Sequence, residues 1–158
     1  MNRLLSAASV LTLFISSAAA GDVSVEEGLR VSIIGGCHDC HTDGFAVSGG
    51  QIDQENAMRG SAVGFKGPWG TTYPTNLRLT LARMSEDGFV DFGHSFRTRP
   101  PMPWFNVHAM KDDELRSFYR YVKSLGEPGM PAPEYVEPGA EPITPFIVFE
   151  PQMPAQSQ

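Results

Sequence analysis

The stretch "GGCHDCHTDG", residues 35–44, contains both cysteines of a 158-residue chain. Cys37 and Cys40 enclose two residues, and His41 follows at once. A disulfide across so short a loop would remove almost no freedom from the unfolded chain. The pair therefore serves chemistry rather than stapling. The start of the chain bears on which chemistry. Residues 1–20, "MNRLLSAASVLTLFISSAAA", place Arg3 before an apolar run from Leu4 to Ile15, with Ala18, Ala19 and Ala20 ahead of Gly21. That is the pattern of a cleavable secretory leader. The run is shorter than the roughly 20 apolar residues that a membrane span needs, and no cysteine follows the cleavage point to accept a lipid. The expectation is a soluble, periplasmic mature protein.

Three chemistries use closely spaced thiols with a histidine. A thioredoxin-type pair belongs in a βαβ setting, which the surrounding pattern lacks. A structural zinc ion needs four ligands, usually as two separated pairs. Cys37, His38, Cys40 and His41 would have to supply all four from five residues, which is too cramped. The third is covalent haem, for which Cys-x-x-Cys-His is the attachment signature. Cys37 and Cys40 would add across the two vinyl groups of one porphyrin edge, and His41 would ligate the iron. One haem c is the expected cofactor.

The sixth iron position decides what such a site does. Downstream candidates are His94, His108, Met58, Met84, Met102, Met110 and Met130. Met102 stands out in "RPPMPWFN", residues 99–106, because Pro100, Pro101 and Pro103 stiffen the backbone around it. A rigid loop keeps a weak thioether in place, and Trp104 and Phe105 could wall the ring edge. Met84, Met110 and Met130 read as core gap-fillers. His94 and His108 read as surface or supporting groups.

Beyond the motif, the mature chain divides in two: a domain over residues 21–126 and an acidic, Pro-rich tail over 127–158. The tail holds eight of the 13 prolines, five Glu and neither Lys nor Arg, so no helix can propagate through it. Three helices are expected in the domain. The first runs from about Val23 to Ile34. The second runs from about Ser85 to Thr98, capped by Ser85, with Phe89, Phe92 and Phe96 on one face. The third runs from Asp112 to Leu125, with Leu115, Phe118, Tyr119, Val122 and Leu125 as its buried stripe and Gly126 as its stop. The one strand signal is "PFIVFE" at 145–150. The expected class is all-α, a small domain of helices and long loops. A net charge of -6 with no Lys/Arg run excludes phosphate-tracking nucleic-acid binders.

Residues 25–126 resemble the class I cytochrome c domains found as electron-transfer subunits of periplasmic dehydrogenases. "VEEGLRVSIIGGCHDCHT" is similar to that family's first helix and haem motif. "GPWGTTYPTNL" is similar to its loop beside the haem, "MSEDGF" to its next helix start, and "PPMPWFNVHAMKDDELRSFYRYVKSL" to its methionine loop and final helix. The resemblance implies helices wrapped around one haem, with Cys37 and Cys40 as thioether attachments, His41 as proximal and Met102 as distal ligand. It also implies that Tyr73 and Asn76, with Trp69, line the haem. Gly28 would sit where first and last helices cross, with Tyr119 or Phe118 packed on its backbone. This chain departs from the family at Lys111, which leaves Asp112 as the expected cap, in the long loop 45–66, and in the tail.

Two axial ligands from the protein leave no open iron site. The expected role is therefore a single-electron carrier, not an enzyme. It would take electrons from a dehydrogenase and pass them to a cytochrome or oxidase. The alternative is a ligand-binding or sensor haem protein with a labile sixth site. The tail has two readings as well. Its composition suits a solvated extension. The apolar run "ITPFIVF" suits a strap that lies on the domain or docks a partner.

Overall fold

A computed structural model of the chain describes residues 21–151 and 153–154; the leader expected at 1–20 lies outside them. The elements in order are α1 (Val25–Ile34), α2 (Cys37–His41), β1 (Gly64–Gly67), β2 (Gly70–Thr72), α3 (Leu77–Ala82), α4 (Glu86–Ser95), α5 (Trp104–His108), α6 (Asp112–Ser124) and β3 (Phe146–Val148). The three expected helices are α1, α4 and α6, each slightly shorter than expected.

Helices α1 and α4 start where a serine side chain satisfies a free backbone N–H group. The Ser24 hydroxyl accepts from the Glu27 N–H at 3.1 Å. The Ser85 hydroxyl accepts from the Gly88 N–H at 3.1 Å. At α6 the expectation of an Asp112 cap fails. Lys111 takes the cap position, and the Glu114 carboxylate reaches back to accept from its N–H at 2.9 Å. The Asp112 carboxylate turns instead to the His94 Nε2, 2.9 Å away.

Helices α1 and α6 cross at Gly28. A Cβ there would come within 2.6 Å of the Tyr121 Cβ and closer still to the Ser117 carbonyl. The crossing is the one expected, but its partners are Ser117 and Tyr121 rather than Tyr119 or Phe118. Beneath it lies a core of Val31, Leu115, Phe118, Tyr121 and Val122, joined by Met58, Leu81, Phe89 and Val90. Ion pairs from Glu86 to Arg116 and Arg120 fasten the start of α4 to α6.

The expected all-α class is wrong. Among the described residues, six helices are joined by a three-stranded mixed sheet of order β2-β1-β3. β1 and β2 form an antiparallel hairpin that pairs Phe65 with Thr72 and Lys66 with Thr71. β3 joins β1 in parallel, with Phe65 opposite Ile147. The hairpin strands are four and three residues long and rich in glycine, too short to display a two-residue alternation. Their third strand arrives from the tail, a pairing that no local pattern can announce.

The tail is thus a strap along the domain. The Asn76 amide donates to the carbonyls of Pro128 and Met130 at 2.6 and 2.9 Å. Val136 and Thr71 exchange both backbone hydrogen bonds, at 2.8 and 3.0 Å. Lys66 pairs with Glu141 at 2.7 Å, and the Tyr73 and Thr144 hydroxyls meet at 2.7 Å. Where the strap leaves α6, Arg78 is almost fully buried and forms no ion pair among the described residues. It donates to the carbonyls of Gln54, Ala57, Leu125 and Glu127, so one guanidinium binds the long loop to the end of α6. No helix among the described residues is long and apolar enough to cross a membrane.

Candidate functional site

The short helix α2 begins after Gly36, whose φ of +67° suits a residue without a Cβ. Three positions apart on one helical turn, Cys37 and Cys40 share a face. Both thiols are free and line the same cavity as His41. Burial pushes the Cys37 thiol up to about 12 and raises that of Cys40. Neither has the lowered thiol pKa of a redox-active dithiol. Gly35 keeps the floor of the cavity tight: a Cβ there would lie 3.1 Å from the Met110 Cε and 3.5 Å from the Cys37 sulfur.

The two histidines of the motif have different tasks. His41 Nδ1 lies 2.8 Å from the Thr75 carbonyl oxygen. A carbonyl only accepts, so Nδ1 carries the proton and Nε2 keeps its lone pair. Burial holds this imidazole below its ordinary pKa, offset in part by the Thr75 bond. A neutral ring with its tautomer fixed by a backbone carbonyl is what metal ligation through Nε2 needs.

His38, fully buried, does not line that cavity. Its Nδ1 is 2.7 Å from the Thr42 hydroxyl, and its Nε2 is 3.1 Å from Ser32 Oγ and 3.2 Å from the Tyr121 hydroxyl. Ser32 spends its own proton on the Leu29 carbonyl, so it accepts from Nε2–H, and Nδ1 accepts from Thr42. This network joins α1, α2 and α6, and burial pushes the His38 pKa down to about 4. With His38 so engaged, the four-ligand zinc set cannot assemble. No group of three or more metal-competent side chains occurs among the described residues.

The cavity has a volume of about 370 Å³. Phe89, Phe92 and Phe96 wall one side, with Leu115 and Phe118 from α6 beside them. Phe65 and Tyr73 come from the hairpin side. Pro101, Met102 and Pro103 bring the proline loop to the same lining. The Thr72 hydroxyl holds that loop by donating to the Pro100 carbonyl at 2.8 Å, and the Trp104 N–H caps it on the Met102 carbonyl at 2.9 Å. Cys37, Cys40, His41, Tyr73 and Met102 are therefore brought together on one cavity.

Other expected residues lie elsewhere. Asn76 caps α3, its side-chain oxygen accepting from the Leu79 N–H while its amide holds the strap. Trp69 packs edge-on to Phe149, and its buried indole N–H has no partner among the described residues. Neither lines the cavity, nor do Trp104 and Phe105. Trp104 lies under the Arg97 guanidinium, and Phe105 is exposed. His94 pairs with Asp112, and His108 Nε2 donates to the Phe96 carbonyl at 2.7 Å. Met58 is fully buried in the core and Met130 is 82% exposed, while Met110 lies on the cavity floor.

The sequence reading missed the Thr75 carbonyl, a backbone group with no residue signature. It also missed Arg97 and Arg99, which bring positive charge to the lining. Their signal was present as two cations directly before the proline run.

No protein-family model, curated protein or solved structure matches this chain.

Proposed function

We propose that this chain is a periplasmic c-type cytochrome with one haem, in the manner of the class I family. It takes single electrons from a dehydrogenase partner and passes them to a respiratory cytochrome or oxidase. The observation that carries the reading is the convergence of two neutral thiols, a pre-set imidazole and a proline-braced methionine on one aromatic cavity. Nothing in that donor set conflicts with the group. The thiols are free for thioether bonds, the lining is mostly apolar, and Arg97 and Arg99 could meet the carboxylates of the ring.

Haem c, when bound, supplies an iron that gains and loses one electron. The chain's residues do the rest. Cys37 and Cys40 would hold the ring covalently, each thiol adding across a vinyl group. His41 offers Nε2 because Thr75 occupies Nδ1. Met102 offers a thioether, a ligand that favours the reduced state relative to a second histidine. The phenylalanine wall excludes water, and low polarity limits reorganisation when charge changes. A haem held by both His41 and Met102 would have no free iron position for a substrate, which favours a carrier over a catalyst.

The test is production of the mature chain in a host that attaches haem c, alongside Met102→Ala. The expected result is haem that survives denaturation on the polypeptide, with a weak far-red ferric band of sulfur–iron ligation that the variant loses. A chain that leaves that host without covalent haem overturns the reading. Covalent haem whose spectrum is indifferent to Met102→Ala overturns the carrier role and leaves a ligand-binding haem protein.

A further inference from the structure

Tyr135 belongs to the strap, yet it touches both segments that hold the Met102 loop. Its ring lies 3.7 Å below the Arg99 guanidinium. Its hydroxyl donates to the Trp69 carbonyl at 2.7 Å, with a Glu137 carboxylate oxygen 3.2 Å away. The next residue, Val136, is locked to Thr71 by two backbone hydrogen bonds. Thr71 is buried, and its neighbour Thr72 grips the Pro100 carbonyl. The strap thus braces residues 99–102 twice: directly through Arg99, and indirectly through the β2 strand that holds Pro100. Gly70 is shaped to receive it. Its φ is +92°, and a Cβ there would meet the Tyr135 ring at 2.9 Å and run into the Val136 carbonyl.

We infer that Tyr135 is a positioning residue for Met102, and that the strap acts as a clamp on the distal loop. The inference rests on the proposed haem site. A thioether is a weak ligand, so its occupancy depends on how little freedom the loop has when the sulfur is released. Three prolines restrict that loop from within. Tyr135 restricts it from outside, by stacking on the residue that opens it.

The experiment uses the haem-loaded full mature chain with Tyr135→Ala and Tyr135→Phe. One readout is amide hydrogen exchange of Arg99, Met102 and Trp104. The other is the apparent affinity of added imidazole for the ferric protein, which competes with Met102. Tyr135→Ala is expected to speed exchange in the loop and to tighten imidazole binding by roughly two- to fivefold, the equilibrium shift that one lost cation–π contact produces. Tyr135→Phe keeps the ring face under Arg99 and is expected to stay near wild type in both. Exchange in α6 reports whether the variants keep their fold. Faster exchange in residues 136–149 with an unchanged loop and unchanged imidazole affinity would overturn the clamp and make Tyr135 a tail anchor. A wild-type protein whose spectrum does not depend on Met102 would overturn the proposed function instead, so the two failures are told apart.

Discussion

Replacing Gly28 by alanine pits two effects against each other. Within a helix, alanine is favoured over glycine by about 1 kcal/mol, so propensity alone makes Gly28→Ala stabilising. The crossing of α1 and α6 opposes it. The added methyl would sit 2.5 Å from the Ser117 carbonyl carbon and 2.6 Å from the Tyr121 Cβ, where relaxed carbon contacts need about 3.5 Å. The helices would have to part by roughly 1 Å. The obstructing atoms are mostly backbone, which cannot swing aside, and α6 is held from beneath by Leu115, Phe118 and Val122 in the core. Overpacking of this kind costs about 3 kcal/mol, the upper part of its usual range. The net expectation is a loss of about 2 kcal/mol, read as a urea midpoint lowered by about 1 M. Gly88→Ala is the control. It lies near the start of α4, and its Cβ would meet only the Ser85 hydroxyl, at 3.1 Å. It should therefore gain up to about 1 kcal/mol. If Gly28→Ala proves as stable as the wild type, the close crossing is wrong.

Two further outcomes follow from buried polar groups. His38 has a folded pKa of about 4 against 6.5 in the unfolded chain, so its stabilisation is complete above pH 6.5 and is lost as pH falls toward 4. The loss reaches about 3 kcal/mol. Urea unfolding of wild type and His38→Leu across that range should show the wild type steeper, and parallel curves would refute the assignment. Arg78→Met strips several buried carbonyls of their donor, and Arg78→Lys cannot restore a planar fork. Each should cost about 3 kcal/mol, and a thermal midpoint unchanged in either would show that water replaces the guanidinium.

What the sequence revealed was whatever is local. Capping by Ser85, most of the apolar stripe of α6 and the Cys37–Cys40–His41 unit all lie within a few helical turns, so residue spacing alone reports them. The row Phe89, Phe92 and Phe96 was legible as a face, although not as a cavity wall. The parts that stayed hidden are made by distant segments meeting. β1 and β2 lack the length to advertise themselves, and their sheet exists because Phe146–Val148 arrives from the tail. Asn76 and Trp69 were placed by resemblance on the cavity, but the strap, absent from that resemblance, engages both residues' segment and draws their polar groups outward. Lys111 shows a subtler limit. Its own side chain is a poor cap, and the helix starts there because Glu114 completes the bond from inside.

The parallel pairing of β3 with β1 also has a consequence in time. Synthesis delivers a chain from its N-terminus, so the Cys37–His41 segment arrives long before Phe146–Val148. Until the strap emerges, Arg99 has no Tyr135 ring beneath it, and until Phe146–Val148 follow, the hairpin has no third strand. A parallel neighbour cannot form from a local turn and must wait for a long return of the chain. During that interval β1 lacks its outer neighbour, although every residue that lines the cavity, none later than Phe118, has already emerged. The strap therefore joins a cavity whose lining residues all precede it, and the topology sets that order of assembly.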